Sequence, residues 1–129
     1  MDVRLDRETG ELVVTGQNLS PRLGEANFLR SELGLTAKKI QRSAPVNHYG
    51  LWRQVSPESE VGLTLTFAPN GPLQRISIQF VTLGLRGSQW SKTKMDEIKT
   101  FHDQWLVEQL GAPPYQFAWG KVLSLIEPH

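Results

Sequence analysis

The sequence predicts an α+β protein in which an antiparallel sheet of about six strands carries two helices, the longer one packed on one face of the sheet. Several short segments alternate apolar and polar residues, which is typical of strands with one buried face. Most of these segments follow one another directly along the chain, which favours antiparallel pairing. One long segment near residue 100 instead has apolar residues at helical spacing.

The amino-terminal part of the chain predicts a hairpin followed by a short helix. Residues 3–5 and 12–14 have apolar residues at every second position, and they are joined by a turn at 7–10 that contains glycine. After a turn at 18–21, the apolar residues of 23–33 follow a helical stripe. Gly34 is predicted to end this helix as the residue just beyond its C-terminus.

The middle of the chain predicts three consecutive strands. Residues 36–47 have no clear period and are read as a loop with one helical turn. Alternation then predicts strands over 49–55, 61–67 and 76–80, the last two joined by a turn at 69–72.

The last third predicts a long helix and a final strand. Thr93 and Asp96 resemble a capping box that opens a helix reaching Leu110, and Gly111 closes it. One arc of this helix should face the sheet: Met95, Ile98, His102, Trp105, Leu106 and Leu110. Residues 115–126 predict a strand with a bulge at Gly120.

Composition favours one domain spanning 1–129 in a reducing, cytoplasmic environment. Of 129 residues, 39% are hydrophobic and none is cysteine, so disulfides and cysteine-based zinc sites are excluded. The first fifteen residues are rich in charge, unlike a secretory signal, and no uncharged stretch is long enough to span a membrane.

Charge is distributed unevenly along the chain. Residues 33–95 hold eight bases and two acids, whereas the remainder holds six bases and eleven acids. This pattern is consistent with a bipolar surface that steers a charged partner, or with charges that interleave once the chain folds.

The sequence favours a protein without catalytic, metal or cofactor sites. It has no phosphate-binding glycine loop and no nucleophile motif, and its histidines at 48, 102 and 129 lack metal-ligand spacing. His102 lies on the apolar arc of the long helix, so we expect it to be a structural, partly buried residue. The alternative is an enzyme or small-ligand pocket around His102, Tyr115 and Trp119.

Two tryptophans with neighbouring arginines are candidate contact residues for a protein partner. Trp52 has the opposite strand parity to the apolar residues around it, and Trp90 precedes the long helix. Tryptophan and arginine are enriched at the energetic centres of interfaces, so we expect protein binding through Trp52, Arg53, Arg86 and Trp90. The alternative is that each ring covers one end of the core.

A third hypothesis is nucleic-acid binding through the basic middle of the chain. Bases and rings alternate there, as phosphate neutralisation and base stacking require: Lys38, Lys39, Arg42, His48, Tyr49, Trp52 and Arg53. The near-neutral overall charge argues against it.

The last third of the sequence also resembles a family of small uncharacterised bacterial proteins. The similar positions are His102, Asp103, Trp105, Leu106, 110–115, Phe117, Trp119, Gly120, Val122 and Ser124. Some such proteins look like immunity partners of secreted toxins, so the resemblance implies a toxin-neutralising role and transfers no catalytic residue. Together with the absence of site chemistry, it makes a non-enzymatic protein-binding module the leading expectation, with an unidentified protein as the partner.

Overall fold

The chain begins with a three-stranded antiparallel sheet. The computed structural model describes residues 3–40, 45–82, 91–122 and 124. Strands β1 (Val3–Leu5), β2 (Leu12–Val14) and β3 (Gln17–Leu19) pair in sequence order. Within the β1–β2 turn, the Asp6 carboxylate accepts two backbone hydrogen bonds of 2.9 Å. The predicted hairpin is confirmed, but part of the predicted 18–21 turn belongs to β3.

Two short helices follow where one was predicted. Helix α1 spans Glu25–Arg30 and helix α2 spans Glu32–Thr36. Ser31 separates them, because it ends α1 in an extended conformation and its hydroxyl then caps α2 by accepting a hydrogen bond from Gly34 N–H. Gly34 therefore lies inside α2, and the prediction that it terminates the helix is wrong.

A four-stranded antiparallel sheet forms the centre of the structure. Its strands pair in the order β4 (Lys38–Ile40), β5 (Asn47–Ser56), β6 (Ser59–Phe67) and β7 (Leu73–Thr82). The three predicted strands are present and extend further than predicted. Strand β4 lies in a segment that was expected to be a loop, because three residues carry too little pattern to indicate a strand.

The hydrophobic core lies between one face of this sheet and the amino-terminal elements. The sheet contributes Tyr49, Leu51, Val61, Leu63, Leu65 and Phe67, all buried. The other layer contributes Val3, Leu5, Leu12, Val14, Leu19, Phe28 and Leu33. Because β1–β3 pack against the sheet instead of joining its edge, the described strands form separate sheets and not one of about six strands. The coarser α+β prediction with antiparallel sheets is confirmed.

The carboxyl-terminal part consists of a long helix and a small hairpin. Helix α3 (Lys92–Leu110) begins after Ser91, whose side chain accepts a hydrogen bond from Lys94 N–H, and ends at Gly111. It contacts the edge strand β7 and also β1, so it lies beside the sheet edge and not across one face as predicted. The rest of that face is already covered by the amino-terminal layer.

Strands β8 (Tyr115–Phe117) and β9 (Gly120–Val122) pair as a two-stranded sheet. The predicted single strand with a bulge is therefore wrong: Ala118 and Trp119 form a turn, and Gly120, with a φ of 151°, starts the returning strand.

Candidate functional site

The outer face of the four-stranded sheet points away from the core and carries Trp52. We define this outer face by the side chains of Lys38, Ile40, His48, Gly50, Trp52, Glu60, Gly62, Thr64, Thr66, Arg75, Ser77 and Gln79. The Trp52 side chain is 37% exposed. It lies over Gly62, its direct partner on β6, where a Cβ atom would come within 2.8 Å of the indole. Glycine at this position allows the indole to lie against the sheet.

The outer face has more exposed positive than negative charge. Lys38 and Arg75 are exposed, whereas the acid Glu60 is buried with 4% of its surface exposed. His48 and Thr66 join β5 to β6 through a 2.8 Å hydrogen bond between Nδ1 and Oγ1. The face therefore combines an aromatic ring, small side chains and basic groups.

Arg53 points to the opposite side of the sheet from Trp52, because neighbouring residues of a strand alternate between faces. Its Nη2 atom lies 3.5 Å from Thr15 Oγ1 and 3.5 Å from Glu32 Oε1. Its Nε atom is buried and has no hydrogen-bond partner among the described residues. The structure therefore does not bring Trp52 and Arg53 onto one surface. Arg86 and Trp90 lie outside the described residues.

The residues considered for nucleic-acid binding also divide between the two faces. Tyr49 is buried, and its hydroxyl donates a 2.6 Å hydrogen bond to Glu25, so its ring is not available for base stacking. Lys39 pairs with Tyr49 in the strand register and does not share the outer face. Arg42 lies outside the described residues. Lys38, His48 and Trp52 remain together on the outer face.

Glu25 is a buried carboxylate that the sequence did not single out. One of its oxygens accepts hydrogen bonds from Tyr49 and from Asn47 Nδ2 (2.9 Å), and the other accepts one from Asn70 N–H (2.8 Å). Burial raises the pKa of the Glu25 carboxyl, but these hydrogen bonds outweigh it and hold the pKa below its usual 4.5. The partners are 22 to 45 residues away in sequence, and no local pattern indicates them.

His102 lies where α3 meets the edge of the sheet. Its Nε2 atom accepts a 3.0 Å hydrogen bond from Phe80 N–H, as expected for a structural histidine. Burial lowers the pKa of the imidazole below its usual 6.5. The adjacent Asp103 does not orient the ring through a hydrogen bond, and binds Lys99 Nζ at 2.8 Å instead.

The three residues of the predicted pocket do not line one cavity. His102 and Trp119 line a cavity of about 1010 Å³, whereas Tyr115 lines a second one of about 510 Å³ between α3 and the β8–β9 hairpin. Trp119 Nε1 donates a 2.6 Å hydrogen bond to Thr9 O, and the Tyr115 hydroxyl donates a 3.0 Å bond to Gly111 O. These contacts dock the hairpin on the protein and do not form a catalytic arrangement.

Two further site classes are absent from the part of the chain that the structure describes. No three side chains among its histidines and acids are grouped so that they could hold a metal ion. None of its helices combines the length and apolar character needed to cross a membrane.

Comparison with known proteins returns no relative: no family model matches the chain, and neither a curated protein nor a solved structure matches it significantly. The resemblance to a family of small uncharacterised bacterial proteins, and the toxin-neutralising role that it implies, therefore stay predictions.

Proposed function

We propose that this protein is a non-enzymatic protein-binding module whose contact surface is the outer face, with Trp52 at its centre. The observation that carries this proposal is an indole more than one-third exposed on the middle of a sheet, on the face opposite the core. Tryptophan is the residue type most enriched where interfaces gain their binding energy. The rigid sheet beneath it limits the entropy lost on binding.

The charge of the outer face favours a partner with an acidic contact surface. Lys38 lies at one edge and Arg75 at the other, on β4 and β7. Opposite charge on the partner would speed association and select against basic surfaces. A toxin-neutralising role is one form of this proposal, and it requires a toxin with an acidic surface. We keep Arg86 and Trp90 as proposed contact residues for the partner. Arg53 lies on the opposite side of the sheet from Trp52, so it could contact a partner only through a different surface.

The proposal is tested by changing the outer face and a matched position elsewhere. Lys38→Glu reverses an exposed charge on the outer face, and Arg4→Glu makes the same change on β1. Proteins captured from extracts of the source cell are identified, and their affinity is measured with purified protein. We expect Lys38→Glu and Trp52→Ala each to weaken binding at least tenfold, and Arg4→Glu to leave it unchanged.

Stability is measured in parallel, because Trp52 also packs on Gly62. Trp52→Ala should lower the free energy of unfolding by about 1–2 kcal/mol, less than for a fully buried aromatic. Equal affinity of the partner for the wild type and both outer-face variants would contradict the proposal. Bound material that nuclease releases would instead support the nucleic-acid hypothesis through Lys38, His48 and Trp52.

A further inference from the structure

Strand β7 forms one edge of the central sheet, and among the described residues only β6 pairs with it as a strand. The N–H group of Phe80 points away from β6, because it donates a hydrogen bond to His102 of helix α3. The backbone groups of successive residues in a strand point to opposite sides, so those of Ile76 and Ile78 point the same way as those of Phe80. Within the part of the chain that the structure describes, neither isoleucine has a backbone partner on that side.

Both ends of this edge are already paired within the chain. Leu73 N–H donates a 2.9 Å hydrogen bond to Leu23 O, and Phe80 N–H donates the 3.0 Å bond to His102 Nε2. Three rings of α3 also contact the Phe80 ring: Phe101, His102 and Trp105. The stretch between these two contacts is 75–79, and we call it the open edge.

The apolar side chains of the open edge are incompletely covered on the core face of the sheet. Leu63 and Leu65 of β6 are buried. Their pairing partners on β7, Ile78 and Ile76, are only partly buried. A further strand at this edge would remove their remaining apolar surface from water, and this burial favours its addition.

The open edge lacks the features that usually prevent one sheet edge from pairing with another. Proteins protect such edges with short strands, charged residues, prolines or bulges. The opposite edge of the sheet, β4, has only three residues, and two of them are lysines. Residues 75–79 contain no proline, their register with β6 is unbroken, and their single charge, on Arg75, lies on the outer face. The open edge is therefore suited to pairing with another strand.

The sequence of the open edge is complementary to itself. In an antiparallel pair of two copies centred on Ser77, Ile76 lies opposite Ile78 of the second copy, and the two Ser77 residues face each other. Arg75 lies opposite Gln79 of the second copy, so no like charges are opposed. Apolar residues therefore meet on the core face, and polar residues meet on the outer face.

Neighbouring registers of this pair fit less well. Centring on Ile78 would place Phe80 opposite Ile76 of the second copy. However, Phe80 N–H is already bonded to His102. Centring on Ile76 would place the polar Gln74 opposite the apolar Ile78. The register centred on Ser77 uses the open edge alone.

We propose that two copies of this chain form a two-fold symmetric dimer through the open edge, with Ser77 at the axis. In each half of the interface, Ile76 of one copy and Ile78 of the other exchange both backbone hydrogen bonds. The two Ser77 Cα atoms lie about 4.5 Å apart, as a pair without hydrogen bonds. The two-fold axis closes the assembly at two chains. The joined sheet keeps both outer faces on one side, and the dimer does not depend on the partner proposed for that face.

Cysteine cross-linking tests this register directly, because the chain contains no cysteine. Ser77→Cys places two thiols opposite each other at the axis. Thr64→Cys is the matched control, since Thr64 pairs with Ser77 on β6 and is likewise partly buried on the outer face. It lies one strand further from the axis on each side, too far for a disulfide between the copies. Under mild oxidation we expect a disulfide-linked dimer of Ser77→Cys and little of Thr64→Cys. Equal cross-linking of the two variants, or none in either, would refute the proposed pairing.

The mass of the protein in solution provides a second test. Sedimentation of the wild type over a range of concentrations should show a reversible dimer. Ser77→Asp puts two carboxylates opposite each other and should raise the dissociation constant at least tenfold. The uncharged Ser77→Thr, a residue well suited to strands, should dimerise like the wild type. Unfolding curves check that both variants are folded.

Two results of the sedimentation experiment would overturn the proposal. The first is a wild type with the mass of one chain at concentrations up to about 1 mM, which would leave the open edge to a strand of a different protein. The second is a dimer whose dissociation constant is the same in Ser77→Asp as in the wild type, which would place the interface elsewhere.

Discussion

Single residues in this protein show how closely its short elements approach one another. Gly34 of α2 is buried against the backbone of α1, and a Cβ atom at this position would overlap the carbonyl oxygen of Phe28. At Gly16, in the turn between β2 and β3, space is not limiting but the backbone conformation is left-handed. Its φ is 83°, but apart from its two chain neighbours no described residue has an atom within 4 Å of the position of a Cβ. One glycine is needed for space and the other for conformation.

Gly34→Ala should therefore lower the free energy of unfolding by at least about 3 kcal/mol, the upper end of overpacking costs, because the obstacle is backbone. Gly16→Ala, as the matched control, should cost only about 1 kcal/mol, the strain of a left-handed backbone. Urea denaturation of both variants measures the difference. Equal losses would show that α1 and α2 do not approach as closely as described.

At the scale of elements, helix α3 is held mainly by the middle of its apolar arc. Trp105 and Leu106 are buried, and the Trp105 ring lies 5.1 Å from that of Phe80 between centroids. Met95 and Ile98, nearer the start of the helix, are only partly buried. Phe101 and Val107 are exposed. Both lie outside the apolar arc that the sequence predicted to face the sheet.

Trp105→Ala should lower the free energy of unfolding by about 3–5 kcal/mol, the usual cost of deleting a core aromatic. The neighbouring exposed position provides the control, and Gln104→Ala should change stability by less than about 0.5 kcal/mol. Thermal and urea unfolding report both values. A loss below about 1 kcal/mol for Trp105→Ala would mean that this arc of α3 is not the packed one.

At the scale of the whole molecule, Glu25 connects three segments that are distant in sequence. Its carboxylate joins the start of α1 to β5 and to the turn between β6 and β7. The same contact and burial act on Tyr49, and together they raise the pKa of its hydroxyl to about 12. Stability should therefore depend on pH at both ends of the scale.

The sign of the acid effect follows from the direction of the pKa shift. Glu25 has a lower pKa in the folded protein than its usual 4.5, so its contribution is present above that pH and is lost as the pH falls through the folded value. Tyr49 behaves oppositely: its contribution is present below pH 10.0 and is lost as the pH rises through about 12.

Glu25→Gln should cost about 1–3 kcal/mol at pH 7, since it weakens hydrogen bonds to a charged acceptor, and clearly less at pH 3. Unfolding by urea at the two pH values measures this difference. The exposed Glu8→Gln is the control and should match the wild type at both. Asp6 and Asp103 also have lowered pKa values. The stability of Glu25→Gln should therefore still decrease at acid pH, but less than that of the wild type. An unchanged cost of Glu25→Gln at pH 3 would contradict the proposed role of its charge.

Much of the candidate site was predictable where the information is local. The parity of Trp52 against Tyr49 and Leu51 left two possibilities, a ring that faces solvent or a ring that covers one end of the core, and in the structure Trp52 is 37% exposed on the outer face. The same alternation predicted that Arg53 lies on the face of the strand that carries Tyr49 and Leu51. No local pattern indicated that its side chain would contact Thr15 and Glu32. A strand pattern determines which way a side chain points, but not which distant segment it meets.

The sequence by itself determined the α+β class, three of the four strands of the central sheet, the long helix and the inward position of Trp105. Each depends on periodicity within one segment, because apolar residues must share one face to be buried together. Only the tertiary structure decided that the strands divide into separate sheets, that β4 exists, and that Glu25 joins three segments. These features depend on pairing between residues far apart in the chain, and such pairing is selected by the burial and hydrogen bonding of the whole fold rather than by any local pattern.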